Sequence, residues 1–258
     1  MARQCAFCSQ IANLTGEHLW SDWIGKLLGT RKYTFTRIEP DGRELRWEGN
    51  ELNLKAKVVC ENCNSGWMSD LESATKPFLK DMILSCKETA LHAKEIALLA
   101  AVTFKNTVVA DHMHDNRGPF FTARERRDFR YTLIVPDGFQ AWMGSIPDQH
   151  GVFNSMDFKT KRSNAYSFHL NVFNYAIGHF TVQSLTSRYL RRSDRRHAPQ
   201  LYTTQANGFD PVSTAFWPSD GSPIVWPPPA HMGHDLFNQF VYRWKNLERG
   251  PTWRCFGM

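Results

Sequence analysis

Four of the six cysteines stand in two Cys-x-x-Cys pairs, Cys5 with Cys8 and Cys60 with Cys63. Each pair has the spacing of a tight turn that presents two sulfur atoms to one point. Four thiolates around one tetrahedral Zn²⁺ make a closed structural site with no open position for chemistry. We therefore predict that the two pairs share one structural Zn²⁺, although 51 residues separate them.

Three polar residues lie beside these pairs. Glu17 and His18 follow the first pair, and Asn64 stands directly after Cys63, where a helix is predicted to begin. A structural zinc site needs only the sulfur atoms. Polar side chains held so close to it therefore indicate a second, separate role.

This combination resembles the HNH, or His-Me finger, nucleases, especially the branch that contains recombination endonuclease VII. That branch carries Cys-x-x-Cys, an acidic residue followed by His, and Cys-x-x-Cys-Asn at the start of a helix. The chain is also similar to bacterial HNH-like proteins with Cys-x-x-Cys-Asn-x-Gly-Trp, which reads CENCNSGW here. The resemblance covers about residues 5–75 and implies a zinc-stapled ββα-metal finger.

The resemblance also implies a role for each polar residue. His18 would be the general base that activates water, and Glu17 and Asn64 would hold one divalent ion, Mg²⁺ or Mn²⁺. A carboxylate and an amide supply the oxygen ligands that such a hard cation prefers. The ion would stabilise charge on the phosphate, and a neutral imidazole would accept the proton of the water.

The chain departs from the family pattern in two ways. Glu17 stands where many members have Asp or His, and no histidine follows Asn64 on the predicted helix. Asp70 or Glu72 on that helix would be able to contribute a further ligand. Acidic residues at such positions are as often solvated, so the sequence leaves both interpretations open.

The net charge of +6 lies in the second part of the chain. Residues 1–88 contain 12 basic and 12 acidic residues, whereas residues 89–258 contain 19 and 13. A polyanionic partner would be attracted mainly by the second part. Five arginines there would form one stripe on a helix, which would either contact phosphates without reading bases or be a solvated surface. They are Arg188, Arg191, Arg192, Arg195 and Arg196.

The periodicity of apolar residues predicts the elements that position these residues. Alternation on both sides of a Pro-Asp-Gly-Arg turn at 40–43 predicts a β-hairpin, and strand-like patterns dominate after about residue 131. Pro77 is expected in the first turn of a separate helix. Helical spacing is found in segments 16–29, 67–74, 87–113 and 233–247.

With 258 residues the chain can form one large domain or two small ones. We predict an α+β fold, with an HNH-like zinc finger in residues 1–88 and a larger, basic, mixed α+β domain in residues 89–258. The sequence starts without an apolar signal segment and has no apolar run of about 18 residues. Paired cysteines of this kind fit metal binding in a reducing compartment. We therefore expect a cytoplasmic protein without a membrane span.

These observations predict an HNH-type, metal-dependent endonuclease that hydrolyses phosphodiester bonds in nucleic acid, with DNA as the expected substrate. Two alternatives stay open: a non-catalytic zinc protein that only binds nucleic acid, and an effector nuclease of an antiviral or mobile-element system. In each, residues 89–258 would provide nucleic-acid affinity, a partner surface or regulation. The sequence also leaves open whether two copies form a homodimer.

Overall fold

The chain folds as a mixture of helices and small sheets, so the predicted α+β class is confirmed. No helix in the part of the chain described below is long and apolar enough to cross a bilayer. The computed structural model describes residues 2–30, 32–38, 44–50, 54–113, 118–161, 167–189 and 211–243.

Five helices lie in this described part. A short turn, Glu61–Cys63, and a segment kinked at Gly66, Asn64–Met68, lead into the second of them. The helices are α1 Asp22–Leu28, α2 Ser69–Ser85, α3 Ala93–Asp111, α4 Ala123–Thr132 and α5 His234–Tyr242.

Pro77 lies inside α2, so the expectation that it begins a separate helix is wrong. A proline in a helix removes one backbone hydrogen bond and is costly when nothing compensates. Here, buried side chains anchor the helix on both sides, including Leu71 before the proline and Leu79 and Met82 after it. Packing of this face therefore keeps the helix continuous.

The strands form antiparallel sheets of two or three strands. The described part contains β1 Arg3–Gln4, β2 Ile11–Ala12, β3 Leu14–His18, β4 Tyr33–Ile38, β5 Glu44–Gly49, β6 Lys55–Cys60, β7 Thr89–Leu91, β8 Phe139–Lys161, β9 Ser167–Tyr189, β10 Ser213–Trp217 and β11 Ile224–Trp226. The pairs are β1–β2, β3–β6, β4–β5 and β7–β11, and the order β10-β8-β9 forms one three-stranded sheet. The β4–β5 pair confirms the predicted hairpin, whose turn lies outside the described residues.

Helix α3 is the centre of the core. Every residue from Leu99 to Asp111 on this helix is buried. The Phe104 ring packs edge-to-face against Phe121, Phe129 and Phe139. One cluster of buried apolar side chains extends from the first cysteine pair to β11 and passes through α3. The core is thus continuous across residue 88, and the division into two domains stays a prediction.

Candidate functional site

The structure brings the four predicted cysteines together. The sulfur atoms of Cys5, Cys8, Cys60 and Cys63 all lie within 4.8 Å of one another, and Cys8 Sγ is 3.6 Å from Cys60 Sγ. Zinc–sulfur bonds of about 2.3 Å place neighbouring sulfurs of a tetrahedral site about 3.8 Å apart. The donor set and its spacing therefore suit one metal ion such as zinc.

The surroundings of Cys5 favour the thiolate form, which is the form that binds metal. A hydrogen bond from the Cys63 thiol, assisted by backbone amides, lowers the pKa of Cys5 to about 4. The backbone N–H of Cys60 donates to Cys5 Sγ at 3.3 Å. The second pair thus stabilises negative charge on Cys5, whereas burial raises the pKa of Cys8.

Helix α4 packs against this cluster. Arg126 is only 8% exposed, and its Nε donates to the backbone oxygen of Ala6, between the first two cysteines, at 2.5 Å. Burial opposes the charge of Arg130, but the charges of Cys63 and Cys8 raise the pKa of that guanidinium. Two positive groups on α4 therefore lie close enough to the cysteines to balance negative charge on their sulfurs.

Our sequence reasoning did not predict α4. Its start nevertheless carries a recognisable signal, because Thr122 and Glu125 form a capping box. The Thr122 side chain accepts from the backbone N–H of Glu125, and the Glu125 carboxylate accepts from the backbone N–H of Thr122.

Glu17, His18 and Asn64 make up the predicted polar site. Strands β3 and β6 and the segment Asn64–Met68, which leads into α2, position these residues. In the antiparallel pair, His18 lies opposite Lys55. The side chain of Asn64 donates from Nδ2 to Thr15 Oγ1 at 3.0 Å, and Thr15 Oγ1 donates to Val59 O at 3.2 Å. Asn64 is therefore tied to the strand that ends in Glu17 and His18.

His18 is half-buried at the end of β3. Its Nε2 lies 3.6 Å from Asp22 Oδ1 at the start of α1. Burial and the nearby charge of Lys55 lower the pKa of His18 below its ordinary value of 6.5, against the opposing charges of Asp22 and Glu72. The imidazole is therefore mainly neutral at physiological pH and able to accept a proton.

Glu17 faces inward and contacts a lysine that sequence reasoning missed. Lys105 Nζ lies 2.5 Å from Glu17 Oε1 and 2.7 Å from Glu72 Oε1. The side chain of Lys105 is 0% exposed and that of Glu17 is 3% exposed. Burial alone would lower the pKa of Lys105, but the two carboxylate charges outweigh it and raise that pKa. We call these three residues the Lys105 triad.

A signal for Lys105 is present in the sequence. It is the single charged residue in an apolar run from Ile96 to Ala110, and α3 buries every residue of that run from Leu99 onward. A buried ammonium group requires anionic partners, because its desolvation is otherwise too costly. The carboxylates that pair with Lys105 are determined by the elements that pack on that face of α3. The sequence alone does not specify those elements.

The triad changes what Glu17 is able to do. Its carboxylate already neutralises an ammonium group, and it is almost completely shielded from water. Of the two helix acids left open by the sequence, Glu72 belongs to the triad and Asp70 is exposed. Glu17 in this arrangement does not fit the role of ligand to a hydrated divalent ion. Within the described ranges, the one group of three or more His, Cys, Asp or Glu ligands is the four-cysteine cluster.

The predicted arginine stripe is described at only one position. Arg188 pairs with Glu125 through Nη2, and its guanidinium lies 4.6 Å from the ring centroid of Phe120. Its side chain is 25% exposed, so this arginine makes internal contacts. Arg191, Arg192, Arg195 and Arg196 lie outside the described residues.

The structure thus brings Cys5, Cys8, Cys60 and Cys63 into one cluster and connects Asn64 to the strand of Glu17 and His18. It also pairs Lys105 with Glu17, the carboxylate that the resemblance assigns to a divalent ion. No protein family model, no curated protein and no solved structure matches this chain.

Proposed function

We propose that this protein is an HNH-type phosphodiesterase that acts on nucleic acid, with His18 as the general base. The observation that carries the proposal is the position of His18, a largely neutral imidazole at the end of β3, the strand whose other end pairs with Cys60. The resemblance in Glu17-His18 and in the CENCNSGW segment supports the same assignment.

In this proposal the four cysteines hold one structural Zn²⁺. Their sulfur spacing and the lowered pKa of Cys5 support it. The ion would fix the turn between β1 and β2 against the end of β6, from which the chain continues into Asn64. Four cysteines that bind metal suit a reducing compartment such as the cytoplasm, where thiols are not oxidised to disulfides.

The proposed reaction begins with proton transfer. Neutral His18 would take a proton from water as the water oxygen bonds to phosphorus and the bond from phosphorus to the leaving ester oxygen breaks, and that leaving oxygen would take a proton from solvent. The nearby Asp22 carboxylate would stabilise the imidazolium that forms. The Asn64 side chain would keep the helix in register with β3 through Thr15. The resemblance adds Mg²⁺ or Mn²⁺ at Glu17 and Asn64. Because Glu17 is paired with Lys105, we assign no step to that ion.

Cleavage of supercoiled plasmid by zinc-loaded protein, with and without Mg²⁺ or Mn²⁺, tests the proposal. We expect the wild-type protein to nick the plasmid and His18→Ala to lose the activity while it keeps its zinc content and its affinity for DNA. His234→Ala is the matched control, because His234 is an exposed histidine at the start of α5. Equal cleavage by wild type and His18→Ala would show that His18 is not the base.

One observation favours a second function, a zinc protein that binds nucleic acid without cleaving it. The Glu17 carboxylate is paired with the Lys105 ammonium group, so its charge is balanced without a catalytic ion. The plasmid assay separates the two functions. Retarded migration of DNA without nicking under any metal condition would support the binding protein.

A further inference from the structure

The Lys105 triad joins three elements of the polar site. Glu17 lies on β3, Glu72 on α2 and Lys105 on α3, and the two Nζ–Oε1 distances are 2.5 and 2.7 Å. The lysine side chain is 0% exposed and the two carboxylate side chains are 3% and 19% exposed. Such short contacts between buried opposite charges are strong, charge-assisted hydrogen bonds.

A divalent ion and this ammonium group would compete for the same carboxylate. Mg²⁺ lies about 2.0–2.1 Å from its oxygen ligands and usually keeps several waters. Glu17 has almost no contact with water, and its Oε1 already faces Lys105 Nζ. Two cations on one carboxylate would repel each other strongly where water does not screen them. The lysine side chain is 0% exposed, so its ammonium group depends on these carboxylates and not on water for stabilisation.

We propose that Lys105 is the built-in cation of the polar site: its ammonium group takes the place beside Glu17 that the family resemblance gives to a divalent ion. Lys105 is then a positioning residue, because it holds β3, and with it His18, against α2 and α3 without any added metal. The inference rests on the site assignment of the proposed function. It concerns occupancy of Glu17 and does not require that the site cleaves a substrate.

Binding of Mn²⁺ to the zinc-loaded full-length chain, followed by electron paramagnetic resonance of free Mn²⁺, tests this directly. Manganese suits oxygen ligands and leaves the thiolate cluster to zinc. We expect wild type and Glu17→Gln to bind the same small amount of Mn²⁺. We expect Lys105→Met to bind Mn²⁺ roughly tenfold more tightly or better, because two carboxylates then face each other without a cation.

Two controls complete the design. Lys94→Met removes an exposed lysine from the same helix and should behave like wild type. The double variant Lys105→Met/Glu17→Gln should lose the Mn²⁺ binding that Lys105→Met gains. Loss of a merely structural contact would not create a manganese site, so this gain separates a built-in cation from a simple packing role.

Two results would overturn the inference. One is Mn²⁺ binding by wild type that Glu17→Gln removes, because the ion would then displace the lysine. The other is a folded Lys105→Met protein that binds no more Mn²⁺ than wild type. If Lys105→Met does not fold, the comparison of wild type with Glu17→Gln still decides. Failure of the plasmid assay would remove the nuclease proposal and leave these binding results unaffected.

Discussion

The four-cysteine cluster and the Lys105 triad both gather acidic groups in the same core, but they obtain their positive charge differently. The sulfur atoms of the cysteines lie within 4.8 Å of one another, and four thiolates carry more negative charge than Arg126 and Arg130 balance, so they need a further cation from outside the chain. In the triad, the chain itself provides the cation, because the Lys105 ammonium group pairs with both carboxylates. A motif for oxygen ligands is therefore not sufficient to infer a metal, because a buried lysine elsewhere in the chain satisfies the same carboxylate.

The two regions also differ in what their folding depends on. Folding around the cysteines should depend on metal in the solution, since four close thiolates repel one another without it. Folding around Glu17 should depend on one residue of α3. Removal of the metal and removal of Lys105 therefore test two different sources of positive charge.

The largest effect is expected when the metal cluster is broken. Cys60→Ser should lose the bound metal, which we expect at about one zinc per chain, and should unfold the N-terminal part, since zinc binding contributes on the order of 10 kcal/mol in small zinc domains. Metal analysis and hydrogen exchange measure both. Cys86→Ser is the control, because Cys86 lies outside the cluster. Well-folded wild-type protein without metal would contradict the prediction.

Removal of the internal cation should cost less but still be severe. Lys105→Met leaves the buried Glu17 without its partner, and we expect the free energy of unfolding to fall by about 3–5 kcal/mol. The double variant Lys105→Met/Glu17→Gln should recover part of this loss, because no buried charge is then left unpaired. Urea unfolding provides the measurement, with Lys94→Met as the exposed control. A change below about 1 kcal/mol for Lys105→Met would show that the buried pair is unimportant.

A smaller effect is expected from the arginine beside the cysteines. Arg126→Met removes the donor to Ala6 O and to Phe121 O, which should lower the free energy of unfolding by about 1–3 kcal/mol. Zinc should also leave the protein faster in the presence of a chelator, because residues around a metal site orient its ligands. Arg127→Met, an exposed neighbour on α4, should change neither value. Equal rates of zinc release from the two variants would show that Arg126 on α4 does not help to hold the metal.

The smallest effect concerns pH. The pKa of His18 is lowered, so the base is in its active neutral form above pH 6.5, and cleavage should fall only as the pH drops below that value. Lys55→Gln removes a positive charge opposite His18 and should move the midpoint upward by a fraction of a pH unit, whereas Asp22→Asn should move it downward. Lys57→Gln on the same strand is the control. Opposite shifts in the pH–rate profile would contradict the assignment.

Residue type and spacing were enough to predict the cysteine cluster. Two Cys-x-x-Cys pairs in one chain commonly supply the four thiolates of one zinc site. The proximity of Cys5 and Cys60, which are 55 positions apart in the sequence, was therefore predictable from the residue types alone. The β4–β5 hairpin and helix α3 were likewise predicted, because their apolar periodicity is local, but Thr89–Leu91 at the start of the same helical pattern form strand β7. The continuation of α2 through Pro77 was not, since packing on both sides of the proline decides it.

The partners of charged residues were the least predictable part of the site. Lys105 is visible in the sequence as a charge within an apolar run, but its pairing with Glu17 and Glu72 links residues 88 and 33 positions away. The sequence left open whether Arg188 contacts phosphates or belongs to a solvated surface, and it did not indicate that this side chain packs on Phe120 and pairs with Glu125. Both outcomes depend on which elements meet in three dimensions, and no local pattern encodes that.

The most direct test of the proposed function is chemical rescue of a variant without the base. His18→Gly, loaded with zinc, should not nick supercoiled plasmid, and added imidazole should restore part of the cleavage with a pH dependence that follows imidazole itself. Zinc content and DNA affinity equal to wild type would show that only the proton acceptor is missing. This result would establish His18 as the general base of a nuclease. Nicking by His18→Gly at the wild-type rate without imidazole would contradict the account.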